Sequence, residues 1–176
     1  MGLDMFLSAK KYTSKYTDEK LNKKIWKMFP EVEQDDISSA TIGLSVGYWR
    51  KANAIHKWFV DNCQEGNDDC KNAYVSRKDL EKLKEICVKV LKFKDGKTKK
   101  QKIRTGHANG KDTFEEIDVL ADTKEIEELL PTTSGFFFGA TNYDEYYFND
   151  LELTIEIIDK CLKLSENWDF EYHSSW

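Results

Sequence analysis

The segment from Asp144 to about Glu166 constrains the fold more than any other part of the chain. Its residues repeat with helical periodicity, and its charged side chains are largely confined to one arc, at Glu145, Glu152, Glu156, Asp159 and Lys163. The rest of the helix surface is mostly apolar. Because a helix that is apolar over more than half of its circumference has to be buried, the other elements must surround this one.

Two shorter segments also have helical periodicity. Residues 51–64 carry an apolar stripe at Ala52, Ile55, Phe59 and Cys63. Residues 77–92 carry a second stripe at Leu80, Leu83, Cys87 and Val90. Ser76 and Asp79 precede and open this second helix with the spacing of a capping box, in which Asp replaces the usual Glu or Gln. Both helices are therefore predicted to pack on the core through one face.

Alternation of apolar and polar residues predicts strands. The predicted strands lie at the N-terminus, around Leu3 to Leu7, and at residues 42–48, 135–141 and 168–174. A chain of 176 residues has the length of one domain. We therefore predict a single α+β domain, residues 1–176, in which a small, largely antiparallel sheet is packed by two or three helices.

Two long segments lack the apolar periodicity of the predicted elements. Residues 9–41 are polar, and we expect a loop there with one short helix near residues 18–29, ended by Pro30. Residues 92–128 contain a basic block, 92–111, followed by an acidic block, 112–128. Adjacent blocks of opposite charge favour a hairpin or a loose excursion. A nucleic-acid-binding arm is the alternative, and it is disfavoured because the acidic block competes for the lysines.

Composition excludes several classes of function. The net charge is −5, which argues against broad nucleic-acid binding. No apolar run approaches the length of a membrane helix, and no export signal is present at the N-terminus, so we expect a cytoplasmic protein without membrane contact. The four cysteines form no C-x-x-C pair and are expected to be free thiols. No nucleotide-phosphate loop or nucleophile elbow occurs.

Two distant segments combine aromatic side chains with polar ones, and we predict that they converge on one ligand-binding cavity. The candidate binding residues are Asp4, Tyr48, Trp49, Arg50, Lys51, Asn53, His56, Phe136, Phe138, Tyr143, Tyr147 and Asp150. Arg50 and Lys51 precede a helix, where an anion can also meet free backbone amides. Aromatic rings would stack on a planar ligand. Asp150 interrupts an apolar helix face and, as a buried acid, is expected to have a partner.

These residues favour a small anionic, nucleotide-like ligand, with no cofactor required. Two alternatives stay open. The first is a metal-assisted hydrolase or nucleotide-modifying enzyme, with His56 as general acid and base and Asp4 or Asp150 as ligand of a divalent metal or as its orienting group. The second is an inhibitor that binds a host protein through an exposed aromatic patch. A homo-oligomer is also left open.

Separated blocks of this sequence resemble a family of small proteins from bacteriophage and bacterial genomes. The blocks are MGLDMFL from Met1, GYWRKANAIHKWFV from Gly47, LPTTSGFFFG from Leu130, YDEYY from Tyr143 and the terminal Ser-Ser-Trp. Residues 9–41 and 92–128 fall outside these blocks, so the resemblance implies that they are variable insertions. It also implies a phage or prophage context, and with it the cytoplasm of a host cell. It implies no activity. In such a context, the expected use of a nucleotide-binding protein is to sequester a signal of host defence.

Overall fold

A computed structural model describes residues 2–32, 39–108 and 111–176 of the chain, except for the side chains of residues 105, 107 and 108. Within these residues the strands are β1 (Asp4–Ser14), β2 (Ser39–Arg50), β3 (Ala73–Val75), β4 (Thr98–Ala108), β5 (Lys111–Leu120) and β6 (Asp169–Ser175). The helices are α1 (Glu19–Trp26), α2 (Asn53–Cys63), α3 (Arg77–Leu91), α4 (Lys124–Leu129) and α5 (Glu145–Leu162). The predicted single α+β domain is confirmed.

The main sheet has four strands in the order β2-β1-β6-β3, and all neighbouring pairs are antiparallel. Alternation along β1 places Met5, Leu7 and Ala9 on the buried face and leaves Phe6 and Lys10 partly exposed on the other. This pattern is typical of an antiparallel sheet that is covered on one side only. The sheet therefore has one face in the core and one open face.

Helix α5 crosses the buried side of the sheet and contacts β2, α2 and α3. Its buried residues include Phe148, Leu151 and Ile158, as its apolar periodicity predicts. Helix α3 begins at the predicted capping box, in which the Ser76 hydroxyl accepts from the Asp79 amide and the Asp79 carboxylate accepts from the Ser76 amide. None of the described helices combines the length and apolarity that crossing a membrane requires.

The segment 135–141 is a turn and not the strand that its aromatic composition predicts. Phe137 has φ of +59° and Gly139 has φ of +92°, in the left-handed region that a strand does not use. The Phe138 amide donates to the Gly135 carbonyl at 3.3 Å, and the Leu3 amide donates to the Phe137 carbonyl at 3.4 Å. The loop is thus tied to the beginning of β1 rather than added to the sheet.

Both predicted insertions contain regular structure. In the first, β1 and β2 continue as a hairpin beyond the main sheet, and α1 forms the short helix that was expected. In the second, β4 and β5 form a separate two-stranded hairpin. Its opposite charges meet across the strands, at Lys100–Asp118 (2.7 Å) and Arg104–Asp112 (2.8 Å). Charge pairing between the two blocks thus accompanies the hairpin.

Candidate functional site

A cavity of about 630 Å³ lies where the N-terminal ends of α2 and α5 approach the β4–β5 hairpin. We call it the main cavity. Its polar and aromatic lining residues are Arg50, Lys51, Asn53, Arg104, Glu115, Thr132, Asn142, Asp144, Tyr146, Tyr147 and Asp150. Its volume is in the range of about 300–1,000 Å³ that holds small organic ligands.

The chain turns from β2 into α2 at the edge of this cavity. Lys51 has φ of +61°, and its amide donates to the Leu3 carbonyl at 2.8 Å, which fixes this turn. No side chain among the described residues caps α2. Ala54 and Ile55, in its first turn, line the cavity. An uncapped helix start of this kind attracts an anion through its free amides and the helix dipole.

Three basic side chains line the main cavity. Arg50 lies 3.9 Å from Asp4 and its side chain is 58% exposed, so that ion pair is weak. Arg104 pairs with Asp112 at 2.8 Å. Lys51 makes no ion pair with any residue that the structure describes. It is therefore the cation of this group that is free to meet a ligand.

Asp150 lines this cavity, and the pKa of its carboxyl group is raised well above the ordinary value. Burial, with a smaller contribution from the negative charge of Asp144, raises the pKa of its carboxyl group to about 7. Asp144 itself is engaged, since it caps α5 by accepting from the Tyr147 amide at 3.0 Å. Contrary to our expectation of a partner, the Asp150 carboxylate has no hydrogen bond or ion pair within the described part of the chain. Its oxygens remain available to a donor.

The side-chain amide of Asn53 is hydrogen-bonded to the backbone of the protein at both its nitrogen and its oxygen. Its amide nitrogen donates to the carbonyls of Phe138 (3.3 Å) and Ala140 (2.8 Å), and its oxygen accepts from the Thr133 amide at 3.2 Å. The side chain thus uses both its nitrogen and its oxygen to hold the loop that follows α4. We infer that Asn53 shapes the main cavity by positioning this wall.

Tyr143 and Tyr147 are packed against each other with ring centroids 4.9 Å apart. The Tyr147 hydroxyl donates to the Leu130 carbonyl at 2.9 Å, and burial raises the pKa of that phenol. Both rings are nearly inaccessible. The exposed ring at the cavity is Tyr146, which sequence analysis did not select, because its position on the helix separates it from the predicted aromatic cluster. Arg104 was missed because it lies in the predicted insertion.

His56 lines a different cavity, of about 260 Å³, together with Phe136, Phe138 and Trp176. We call it the histidine cavity. His56 is buried, and its Nδ1 lies 2.7 Å from the Tyr172 hydroxyl. Its Nε2 lies 2.9 Å from one oxygen of Asp68. The imidazole is therefore held at both nitrogens by the protein.

Tyr143 and the remaining candidates do not line either cavity. Tyr48 and Asp4 form a hydrogen bond on the open face of the sheet. Trp49 is buried in the core, where its indole nitrogen donates to the Thr154 hydroxyl at 2.9 Å. Sequence analysis placed Tyr48 and Trp49 at the site as aromatic neighbours of Arg50 in the chain, and Asp4 as a carboxylate within an otherwise apolar strand. Alternation along β2 sends Tyr48 and Trp49 to opposite faces of the sheet.

The predicted single cavity is thus divided in the structure. Arg50, Lys51, Asn53, Tyr147 and Asp150 line the main cavity, whereas His56, Phe136 and Phe138 line the histidine cavity. The acid that contacts His56 is Asp68, and not Asp4 or Asp150. Within the described residues, no group of three or more His, Cys, Asp or Glu side chains could hold a metal ion.

Comparison with known proteins adds no relative to this description. No protein-family model, no curated protein and no solved structure matches the chain. The resemblance to a phage and bacterial family stays a prediction that depends on the sequence blocks alone.

Proposed function

We propose that this chain binds a small anionic, nucleotide-like ligand in the main cavity. The observation that carries the proposal is that two charged side chains without an ion-pair partner among the described residues line one cavity of suitable size. Lys51 stands at the uncapped start of α2, and Asp150 offers a carboxylate without a partner among the described residues. A ligand with an anionic end and a hydrogen-bond-donating end would satisfy both groups.

The anionic end would lie at the start of α2. Lys51 would supply a charge, and the first-turn amides of α2 would donate hydrogen bonds. Arg50 and Arg104 would add to the positive potential, although each is partly neutralised by an acid. A phosphate group suits this arrangement because it accepts several charge-assisted hydrogen bonds at once.

The donor end would lie at Asp150. A ribose hydroxyl or an exocyclic amino group donates the hydrogen bond that this carboxylate lacks. The exposed ring of Tyr146 offers a surface on which a planar base can stack. Mononucleotides, cyclic nucleotides and ADP-ribose-type molecules combine these three features, and we propose this class as the ligand.

The biological use that we propose is sequestration. A phage-encoded protein that binds a nucleotide signal without converting it would lower the concentration of that signal in the host cytoplasm. The proposal of a binding protein, rather than an enzyme, is supported by the main cavity: it offers a cation and an acid, and no Cys, Ser or His is among the described residues that line it.

Isothermal titration calorimetry against a panel of mononucleotides, cyclic nucleotides and ADP-ribose-type molecules tests the proposal. We expect at least one compound to bind, and Lys51→Gln and Asp150→Asn each to weaken that binding by about tenfold or more, as loss of a charge-assisted hydrogen bond predicts. Lys57→Gln is the matched control, because Lys57 lines the histidine cavity. Absence of binding across the panel, or equal binding by all variants, would contradict the proposal.

The pH dependence of binding tests the role of Asp150 separately. A ligand that donates to the carboxylate favours the ionised form, so affinity should rise as the pH increases through the pKa of about 7. A phosphate ligand also gains charge near pH 6, and this contribution remains in Asp150→Asn. The difference between the two pH profiles isolates Asp150. Identical profiles would place the donor end of the ligand elsewhere.

A further inference from the structure

Strand β2 forms one edge of the main sheet, next to β1. It is the longest strand of the sheet, with 12 residues, whereas β3 at the opposite edge has 3. Within the described residues, the backbone of β2 bonds only to β1. The amides and carbonyls on its outer side are therefore not paired with any other described strand.

From Ser39 to Ser45, this edge lacks the features that usually prevent pairing with another chain. Ser39 to Trp49 include no charged residue and no proline, and Arg50 is the last residue of the strand. Native edge strands are commonly protected by lysine, proline, a bulge or a short length. β2 has one register irregularity, opposite Leu7 and Ser8, and the seven residues from Ser39 to Ser45 pair regularly with β1. This seven-residue segment is the unprotected edge.

We propose that the unprotected edge pairs with the same segment of a second copy of the chain. The occupant follows from the near symmetry of the seven residues about Ile42: a serine stands at each end and an apolar residue next to each serine, and only Thr41 and Gly43 differ in character. In an antiparallel pair with a two-fold axis at Ile42, Ser39 meets Ser45 of the other copy and Ala40 meets Leu44. No like charges oppose each other, and the two sheets join into one continuous sheet.

The exposed side chains of the segment favour this arrangement. Leu44 is 41% exposed, although it stands opposite the fully buried Ala9 on β1. Pairing places Leu44 against Ala40 of the second copy and shields it from water. Gly43 has free space where a side chain would project, so this edge can be altered without disturbing the monomer. A peptide from another protein would use the same backbone groups, but no feature of the edge selects a particular foreign sequence.

Sedimentation equilibrium with charged edge variants is the first test. We expect the unmodified chain to form dimers at high micromolar concentration. Gly43→Lys and Leu44→Lys place like charges beside the two-fold axis and should raise the dissociation constant by about tenfold or more. Tyr74→Lys is the matched control, because Tyr74 is 63% exposed on the opposite edge strand β3. A monomer at all concentrations, or a dimer unaffected by both edge variants, would overturn the proposal.

A cysteine cross-link tests the register. In a background with Cys63→Ser and Cys70→Ser, Ile42→Cys brings two thiols opposite each other across the axis, at the spacing of cross-strand neighbours. Mild oxidation should then yield a covalent dimer. Ser45→Cys is the control, because residue 45 faces residue 39 of the second copy and not its own equivalent. Equal cross-linking of both variants, or none with Ile42→Cys, would overturn the proposed register.

Discussion

Trp49 and Thr154 join the edge of the sheet to its central helix. The Trp49 indole nitrogen donates to the Thr154 hydroxyl at 2.9 Å, and that hydroxyl donates in turn to the Asp150 carbonyl at 2.6 Å. Trp49 is 1% exposed and Thr154 is fully buried. The two hydrogen bonds connect β2 to the turn of α5 that carries Asp150. They therefore link a buried side chain of the core to a residue that lines the main cavity.

Replacing Thr154 by Val should destabilise the protein. The change keeps the shape of the side chain but leaves the Trp49 nitrogen unpaired in the core, which costs about 1–3 kcal/mol. Thr154→Ser, which retains the hydroxyl, should lose less stability. The free energy of unfolding from urea denaturation measures the difference. Equal losses in the two variants would show that packing, and not the hydrogen bond, is what matters here.

Gly47 lies where the sheet and α5 approach each other closely. A Cβ atom at this position would lie 2.7 Å from Ile157 Cγ2 and 3.2 Å from Leu7 Cβ. Gly47→Ala should therefore lower the free energy of unfolding by about 1–3 kcal/mol through overpacking. Gly43→Ala on the same strand is the control, since nothing lies within 4 Å of its added Cβ. A stable Gly47→Ala variant would argue against the close contact between β2 and α5.

Asp150 should make the stability depend on pH. Its pKa in the folded protein is about 7, raised from 3.8, so between about pH 4 and 7 the folded state binds more protons than the unfolded state. Stability should therefore fall as the pH rises through this interval and level off above it. Asp150→Asn removes the loss, and we expect it to be more stable than the original chain at pH 8 by about 1–2 kcal/mol, allowing for solvent screening.

The comparison at pH 4 serves as the control for Asp150→Asn. At that pH the Asp150 carboxyl group is protonated in the folded protein, so the gain from the substitution should largely disappear. Thermal unfolding at both pH values measures it. A gain that is equal at pH 4 and pH 8 would mean that the carboxylate charge is not the cause.

Asp68 connects the C-terminal strand to the loop after α2. One of its oxygens meets His56, and the other accepts from the Trp176 indole nitrogen at 3.0 Å. Asp68→Ala should release Trp176, which is already 46% exposed, and lower the stability by about 1–2 kcal/mol. The chain has five tryptophans, so the fluorescence change that is lost in a Trp176→Phe background is the part that reports on Trp176. Denaturation reports on the stability. Asp69→Ala is the matched control, because within the described part of the chain Asp69 pairs with Lys71 and with no other residue. Similar effects of both variants would refute the role of Asp68.

Local patterns predicted the elements whose form depends on nearby residues. The three long helices follow from apolar periodicity, and the start of α3 follows from Ser76 and Asp79. The alternation of Met5 and Leu7 predicts a strand with one buried face. The predicted strand at 135–141 was wrong. Its aromatic residues have strand propensity, but the backbone of Phe137 and Gly139 is left-handed.

The sequence by itself determined the α+β class, the buried central helix and the concentration of polar and aromatic groups near α2 and α5. Each of these depends on periodicity or composition within one segment. Only the tertiary structure decided which of those groups meet. Trp49 points into the core and bonds to Thr154, and Tyr48 bonds to Asp4 on the open face, so neither lines the cavity that Arg50 lines. Likewise, the distant hairpin brought Arg104 to that cavity, and the loop after α2 brought Asp68 to His56.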